Sequence, residues 1–253
     1  MELDKLNVWF SVNKLSLNIS KTNFIIFGNR KVKEEVIIKI NNMNIERVFV
    51  TKFLGVLIDH QLNWKEHINY ICSKVSRSIA IISKASKVLN FKSLYDLYCT
   101  LILPYLNYCS KNWGNTYETN LNKLFLKQKR VIRIINKATF TAHTNILFKQ
   151  LKVLKLKDLI QMKTALFMYK VSKKSLPSNL LAMFDIKQQN EFYNLRSKSK
   201  EMFELKYVRT EQKQKSLSIH GVKIWNSIDE DIKTCKSIHS FKTKYKTLLL
   251  SQY

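Results

Sequence analysis

At 253 residues with 45% hydrophobic content, the chain is long enough to bury an adequate core as one large domain or two small ones, and too apolar to be disordered throughout. Its 44 Lys and Arg against 18 Asp and Glu give a net charge of +26, a field that attracts polyanions, of which nucleic acid is the commonest in a cell. Lys, Asn, Ile, Phe and Tyr all have A/T-rich codons, so genome base composition accounts for part of the same excess.

Only four Gly and two Pro punctuate the chain, which favours helix over tight turns. Leu3, Leu6, Trp9 and Phe10 stand at helical spacing and predict a short amphipathic helix over residues 3–15. Three or four short antiparallel strands are expected over residues 20–59. They comprise Phe24–Phe27, closed by Gly28, then the β-branched Glu35–Ile40, and, after the turn-forming Asn41, Asn42 and Asn44, Ile45–Val50 and Phe53–Ile58. Gly55 inside the last strand reads as a bulge or a close backbone approach.

From Trp64 the period becomes helical. Trp64, Ile68, Ile71, Val75, Ile79 and Ile82 fall three or four apart, with Lys74, Arg77, Lys84 and Lys87 on the opposite face. Lys92–Cys109 is apolar nearly all round, as suits the central helix of a bundle, and Pro104 should kink or break it. Trp64, Ile71, Val75, Leu101 and Ile132 are expected to share one core. Asn120–Ala138 places Leu121, Leu124, Phe125, Val131, Ile132 and Ile135 on one side. Residues 144–173 continue the helical pattern until Pro177 supplies a stop. Gln188–Lys215 is polar and basic without a sustained period, the best linker candidate. The tail, Leu217–Leu250, starts with a short β-like run and finishes in a basic amphipathic helix from His239.

Cys72, Cys99, Cys109 and Cys235 form no CxxC pair and have no His at zinc-finger spacing, so free thiols in a reducing compartment are expected. MELDKLNVWF carries two acids and no apolar signal core. An intracellular protein, nuclear or cytoplasmic and not secreted, is the expectation. Asp96 and Asn107 interrupt LYDLYCTLILPYLNYC before the ~18 apolar residues that a membrane span needs.

The stretches LSLNISKT and FLGVLIDHQLNWKEHI, continued by LILPYLNYCSKNWG, LKQKRVIRIIN, GVKIWNSIDEDIK and SIHSFKTKYKTLL, resemble the reverse transcriptase of non-LTR retrotransposons, the LINE-type elements of the CR1, L2 and jockey kind. The resemblance implies that LSLNISKT follows the aspartate-bearing catalytic turn and that FLGVLID is the hairpin gripping the primer end. The family's paired catalytic aspartates would then lie upstream of Met1. Lys21 matches the lysine that approaches the incoming triphosphate, and Leu54, Gly55 and Val56 match the primer-grip strand. Mg²⁺ is implied only for a full-length parent polymerase, and no cofactor or metal is expected for this chain. One departure is Ile228-Asp229 after the WNS triplet, where relatives commonly carry Leu-Pro.

Residue by residue, bland readings compete with these roles. Lys21 reads equally as an exposed lysine, Asn18 and Thr22 as turn hydrogen-bonding residues, Leu54–Val56 as a buried strand, Trp64 as core, and His67 as a capping or surface histidine. The strongest binding candidate is the basic face of the helix at 123–137. Lys123, Lys127, Lys129, Arg130, Arg133 and Lys137 repeat along roughly 20 Å of helix at about 1.5 Å per residue. Such a face tracks a phosphate backbone by charge and without base-edge geometry, and a solvated helix face accounts for the same pattern. Two-metal chemistry needs carboxylates around ions ~4 Å apart, whereas Asp59, Asp96 and Asp185 stand singly and Asp229-Glu230-Asp231 lies in a basic tail.

The expected fold is α+β, mainly α. Residues 1–60 would be a palm remnant with a primer-grip-like hairpin, 61–140 a thumb-like helical bundle and 141–187 a helical extension. Residues 188–216 would be a basic linker and 217–253 a β/helix tail. The expected function is that of a C-terminal reverse-transcriptase fragment that is not an enzyme on its own. It would retain binding of RNA, DNA or an RNA–DNA hybrid with weak sequence selectivity. The rival is a degenerate, transposon-derived helical protein with no evolved ligand, and a membrane-surface role for the tail helix around Phe241, Tyr245 and Leu248–Leu250 is a minor third.

Overall fold

Helix dominates the computed structural model, which describes residues 2–28, 36–40, 42–185 and 202–253, and the chain is α+β, mainly α. It divides into two units, Met1–His67 and Ile68–Tyr253.

The first unit opens with α1 (Glu2–Val12) and a tight 3-10 turn at Ile19–Lys21. β1 (Asn23–Phe24), β2 (Ile38–Ile40) and β3 (Met43–Arg47) form a sheet in the order β1-β3-β2. β2 and β3 run antiparallel with Ile40 opposite Met43, and Asn42 at the turn takes a positive φ of 61°, which a short polar side chain tolerates. β1 runs parallel to β3, against the all-antiparallel expectation: only Asn23 and Phe24 of the apolar run reach the sheet. Glu35 and Asn41, assigned from sequence to a strand and its turn, lie outside the described residues.

β4 (Val50–Phe53) and β5 (Val56–Asp59) make a separate antiparallel hairpin in which Phe53 faces Val56. Leu54 (φ 45°) and Gly55 (φ 82°) are therefore the two turn residues. Gly55 is not a bulge inside a strand; with positive φ at both central positions this is the mirror-image two-residue turn that matches strand twist, and glycine supplies such a φ freely. Asp59 then ties the hairpin to the loop at 60–64. Its Oδ1 accepts from the backbone N–H of Gln61 and Asn63, each at 3.1 Å, and its Oδ2 from that of Trp64 at 2.8 Å. These bonds hold Trp64 at φ 63° immediately before α2 (Lys65–Ala85). Trp64 itself is half-buried.

His67 corrects the sequence reading. It is buried, and its Nδ1 accepts from the Leu57 N–H at 3.3 Å, linking the first turn of α2 to β5. Burial lowers its pKa to about 4, so the imidazole is neutral and suited to accepting.

In the second unit the α2 stripe Ile68, Ile71, Val75, Ile79 and Ile82 is buried as its spacing predicts. The apolar run 92–109 is broken at the proline: α3 is Phe91–Leu101 and α4 is Leu103–Asn107, with Pro104 in the first turn of α4, where its missing N–H costs nothing. The break shifts the helical phase. Tyr98 and Ile102 are fully buried, whereas Leu101, expected in the core, is half-buried and gives its carbonyl to the Ser78 hydroxyl at 3.1 Å.

After α5 (Ser110–Trp113), α6 (Glu118–Ile135) buries Leu121, Leu124, Val131, Ile132 and Ile135. On that face Gln128 donates to the Tyr98 hydroxyl at 3.1 Å and to the Leu154 carbonyl at 3.0 Å. α7 (Thr144–Gln150) leads to α8 (Leu156–Ser172), which is buried on almost every side and packs against α4, α5 and α6. The centre of the unit is α8 and not the 92–109 segment.

Past α9 (Ser178–Leu181), residues 186–201, which include the first part of the expected linker at 188–216, lie outside the described residues. Phe203 is buried, held by a side-chain mimic of strand pairing: its N–H donates to Asn226 Oδ1 at 3.2 Å and its carbonyl accepts from Asn226 Nδ2 at 3.0 Å. α10 (Glu211–Gln214) is capped by Thr210. The β-like run at Leu217 is in fact helical, as α11 (Leu217–Asn226), because its Gly221 and Trp225 pack inward. α12 (Glu230–Lys233) and α13 (Ile238–Ser251) complete the unit, with α11 and α13 both packed on α8. Phe241, Tyr245 and Leu249 of α13 are buried, and Trp225, Tyr169 and Tyr245 all pack about Phe241 at centroid distances of 4.7 to 5.9 Å, Trp225 and Tyr245 stacked and Tyr169 tilted. The apolar side of the tail helix is thus spent on the core.

Candidate nucleic-acid interface

The face of α6 opposite its buried stripe carries the cations singled out from sequence. Lys123, Arg130 and Lys137 are exposed, while Lys127, Lys129 and Arg133 are half-buried. Lys137 sits just past the helix end at φ 50°, closing the last turn. Lys129 lies to one side, its ammonium 4.5 Å from the ring centre of Phe125. Arg133 donates Nε to the Ala142 carbonyl at 3.0 Å, which pins its guanidinium against the loop after α6. That guanidinium also lies 5.8 Å from the ring of Phe140, which is 82% exposed.

Lys127 reaches across to α2 and donates to the Ser76 hydroxyl at 2.6 Å. Ser76, Ile79, Ala80, Lys127 and Arg130 line a small cleft of about 130 Å³ between the two helices. The field of this edge is felt at Cys72: burial pushes its thiol pKa up, and the ammonium groups of Lys127 and Lys123 pull against that. Among the described residues, no carboxylate lies within ion-pair distance of any of the six cations. Repeated positive groups without acidic partners leave a net field directed outward, which is the electrostatic requirement of a backbone-tracking surface.

Sequence reasoning found the six cations but not Ser76 or Phe140. Ser76 and Ala80, small residues four apart on α2, are the signal that a long side chain from a neighbouring helix crosses there. Phe140 carries no periodic signal, because it lies in a loop.

Over 163 residues, 63% of this chain, the sequence is 27% identical to the RNA-directed DNA polymerase from mobile element jockey of Drosophila melanogaster and 24% identical to its counterpart in Drosophila funebris. A third relative, the probable RNA-directed DNA polymerase from transposon X-element of Drosophila melanogaster, is 22% identical over 59% of the chain. The chain is related to the reverse transcriptases of non-LTR retrotransposons. It spans 17–18% of the length of these relatives. No family model and no solved structure matches it.

The retrotransposon resemblance assigns roles to two further groups of residues. Lys21 is exposed at the end of the 3-10 turn, beside Asn18, whose carbonyl accepts from the Thr22 hydroxyl at 2.8 Å and whose Oδ1 accepts from the Ser20 hydroxyl at 2.7 Å. Leu54 and Gly55 form the tip of the β4–β5 hairpin and Val56 begins β5. Leu54 and Phe53 are 74% and 62% exposed, whereas Val56 is buried. The buried-strand reading therefore holds for Val56 alone.

Two of the carboxylates weighed from sequence are engaged within the fold. Both oxygens of Asp59 are occupied by backbone N–H groups, and Asp185 pairs with Lys206. Among the described residues, no group of three His, Cys, Asp or Glu is placed to hold a metal ion. Nor is any described helix long and apolar enough to cross a membrane.

Proposed function

We propose that this chain corresponds to the part of a retrotransposon reverse transcriptase downstream of its catalytic aspartates. On this reading it grips nucleic acid by the backbone and does not polymerise by itself. The observation that carries the proposal is the α6 face: a run of cations along one helix edge with no carboxylate set against it among the described residues. Polymerases handle nucleic acid, and three relatives bear that activity in their names. Lys123, Arg130 and Lys137 supply mobile charge to phosphates. Lys127 and Arg133, held by Ser76 and Ala142, supply charge whose position is already set, so less side-chain entropy is lost on binding.

The ligand is RNA, DNA or an RNA–DNA hybrid, contacted with weak sequence selectivity because backbone contacts carry no sequence information. By the resemblance, the exposed Leu54–Gly55 tip lies against a primer strand and Lys21 against a triphosphate when an upstream catalytic palm is present. One observation favours the rival, a transposon-derived protein without an evolved ligand: Lys127, Lys129 and Arg133 each have an intramolecular partner and serve the fold as well as any ligand.

Fluorescence anisotropy on a labelled RNA–DNA duplex separates the two. Lys127→Gln, Arg130→Gln and Arg133→Gln combined should weaken binding more than the combined control Lys92→Gln, Lys213→Gln and Lys244→Gln, which removes equal charge from exposed positions elsewhere. Equal losses would leave only diffuse attraction to a basic protein.

A further inference from the structure

A second cationic cleft, independent of the α6 face, lies where α4 and α5 meet beside α8 and the start of α13. It measures about 290 Å³, and three lysines line it: Lys111 from α5, and Lys163 and Lys170 from α8. None of its lining residues is acidic. Two uncharged polar groups in its wall have no partner in the fold. The Ser110 hydroxyl is buried, the residue being only 1% exposed, and it makes no hydrogen bond; nor does Asn107 Oδ1, also cut off from solvent. Buried polar atoms without partners cost roughly 1–3 kcal/mol each, so a polar group that reached these two beside the three lysines would gain hydrogen bonds the fold leaves unmade.

We propose that this cleft is a binding site for a phosphate or diphosphate group. In it the ammonium groups of Lys111, Lys163 and Lys170 neutralise the anion, and the Ser110 hydroxyl and the Asn107 amide, turned to present its NH₂, donate to its oxygens. A phosphate suits the set because it offers several acceptor oxygens and at least one negative charge, and accepts from hydroxyl and amide donors as readily as from ammonium. A carboxylic acid ligand would leave part of this donor set unused.

Two of the three lysines are held below their ordinary pKa, chiefly by burial. For Lys111 burial dominates, Cys109 pulls the other way, and the neighbouring Lys170 adds a smaller lowering. Lys163 is lowered in the same way, by burial and then by Lys242. An anion in the cleft would favour the charged form of each ammonium and so oppose the lowering. Lys111 already has its ammonium 4.5 Å from the ring of Phe167, which fixes one wall of the site.

The phosphate is either free or part of a polynucleotide, and two arms of one experiment distinguish the sources. Isothermal titration calorimetry with inorganic pyrophosphate at low salt should show saturable binding to the full chain. The Lys163→Gln, Lys170→Gln double variant should bind at least tenfold more weakly. Ser110→Ala, which changes no charge, should bind at least threefold more weakly. The α6 triple variant should stay within twofold of the parent.

In the second arm, a single-stranded oligonucleotide should lose about 0.7 of salt-dependence slope for each phosphate contact removed, or about 1.4 for the double variant. A response in the first arm alone makes the ligand a free phosphate compound, and a response in the second makes it a polynucleotide. The double variant removes like-charge repulsion, so at low ionic strength it should melt no lower than the parent, which separates lost binding from lost folding. No response to either the double variant or Ser110→Ala in both arms overturns the site, as does a pyrophosphate loss of equal size in the α6 triple variant.

Discussion

Gly114 offers the sharpest test of α8 as the structural centre. A Cβ built at this position would lie 2.3 Å from the Ser110 carbonyl oxygen and 2.5 Å from Ile160 Cγ2, closer than real Cβ contacts allow. The first of these atoms is backbone, and it already accepts from the Gly114 N–H at 2.8 Å, so it has little room to yield. The second belongs to a β-branched residue of α8, itself buried. Gly114→Ala must therefore separate α5 from α8 or distort the end of α5. Overpacking of this kind typically costs about 1–3 kcal/mol. For a unit of this size each kcal/mol moves the melting temperature by roughly 2–4 °C, so a fall of about 2–12 °C is expected.

Gly221→Ala is the built-in comparison. Its Cβ would meet the Met168 sulfur at 3.0 Å, a flexible side chain able to move aside, and the position lies inside helix α11. There alanine gains about 0.5–1 kcal/mol over glycine, so this variant should melt within about 2 °C of the parent or slightly above it. Thermal denaturation followed by circular dichroism at 222 nm (a wavelength chosen as roughly the helical minimum) measures both. If Gly114→Ala melts with the parent, or if Gly221→Ala proves the more damaging, the close approach of α5 to α8 is wrong.

The remaining predictions concern the first unit and the α3 phase. The pKa of His67 in the folded chain, about 4, lies below the ordinary value of 6.5. Its contribution is therefore complete above about pH 6.5 and is lost as pH falls towards 4, by on the order of 3 kcal/mol. Fluorine NMR of 5-fluorotryptophan at Trp9 and Trp64 should show the first unit loosening over that range, and His67→Leu should remove the dependence. Ile102→Ala should destabilise the second unit by about 2–5 kcal/mol and Leu101→Ala by distinctly less, as read by urea midpoints; the reverse order would restore Leu101 to the core. Leu54→Asn creates an Asn-Gly turn in a hairpin that now holds leucine in the left-handed region. It should slow amide exchange in β4 and β5, corresponding to roughly 1 kcal/mol, and faster exchange would count against the assigned turn.

How much the sequence disclosed depends on the range of the forces involved. The α2 and α6 stripes were readable because burial of a helix face repeats every three or four residues, and Pro104 broke its helix because a ring nitrogen carries no hydrogen. The α6 cations were legible for the same reason, being the complement of the buried stripe. Leu101 was misplaced because the break at 102–103 resets the phase, and periodicity carried across a break points to the wrong side. Centrality went to 92–109 and belongs to α8, since apolar content cannot reveal which helix is wrapped by its neighbours. His67 required knowledge of the Leu57 N–H it faces, and Gly55 required the register that puts Phe53 opposite Val56. The phosphate cleft gathers Ser110 and Lys111 with Lys163 and Lys170, residues some fifty positions apart that only the packing of α5 on α8 brings together.

If the α6 edge holds a nucleic-acid backbone, as proposed, the salt dependence of binding reports it most directly. Affinity for an RNA–DNA duplex, measured between 50 and 300 mM KCl (a range spanning roughly the physiological Debye length), should fall linearly on a log–log plot. Replacing Lys127, Arg130 and Arg133 by Gln should flatten that slope by up to about 2.7, from about 0.9 per phosphate contact on a B-form reference, while the charge-matched control at Lys92, Lys213 and Lys244 leaves it nearly unchanged. Identical slopes for the two triple variants would contradict the account.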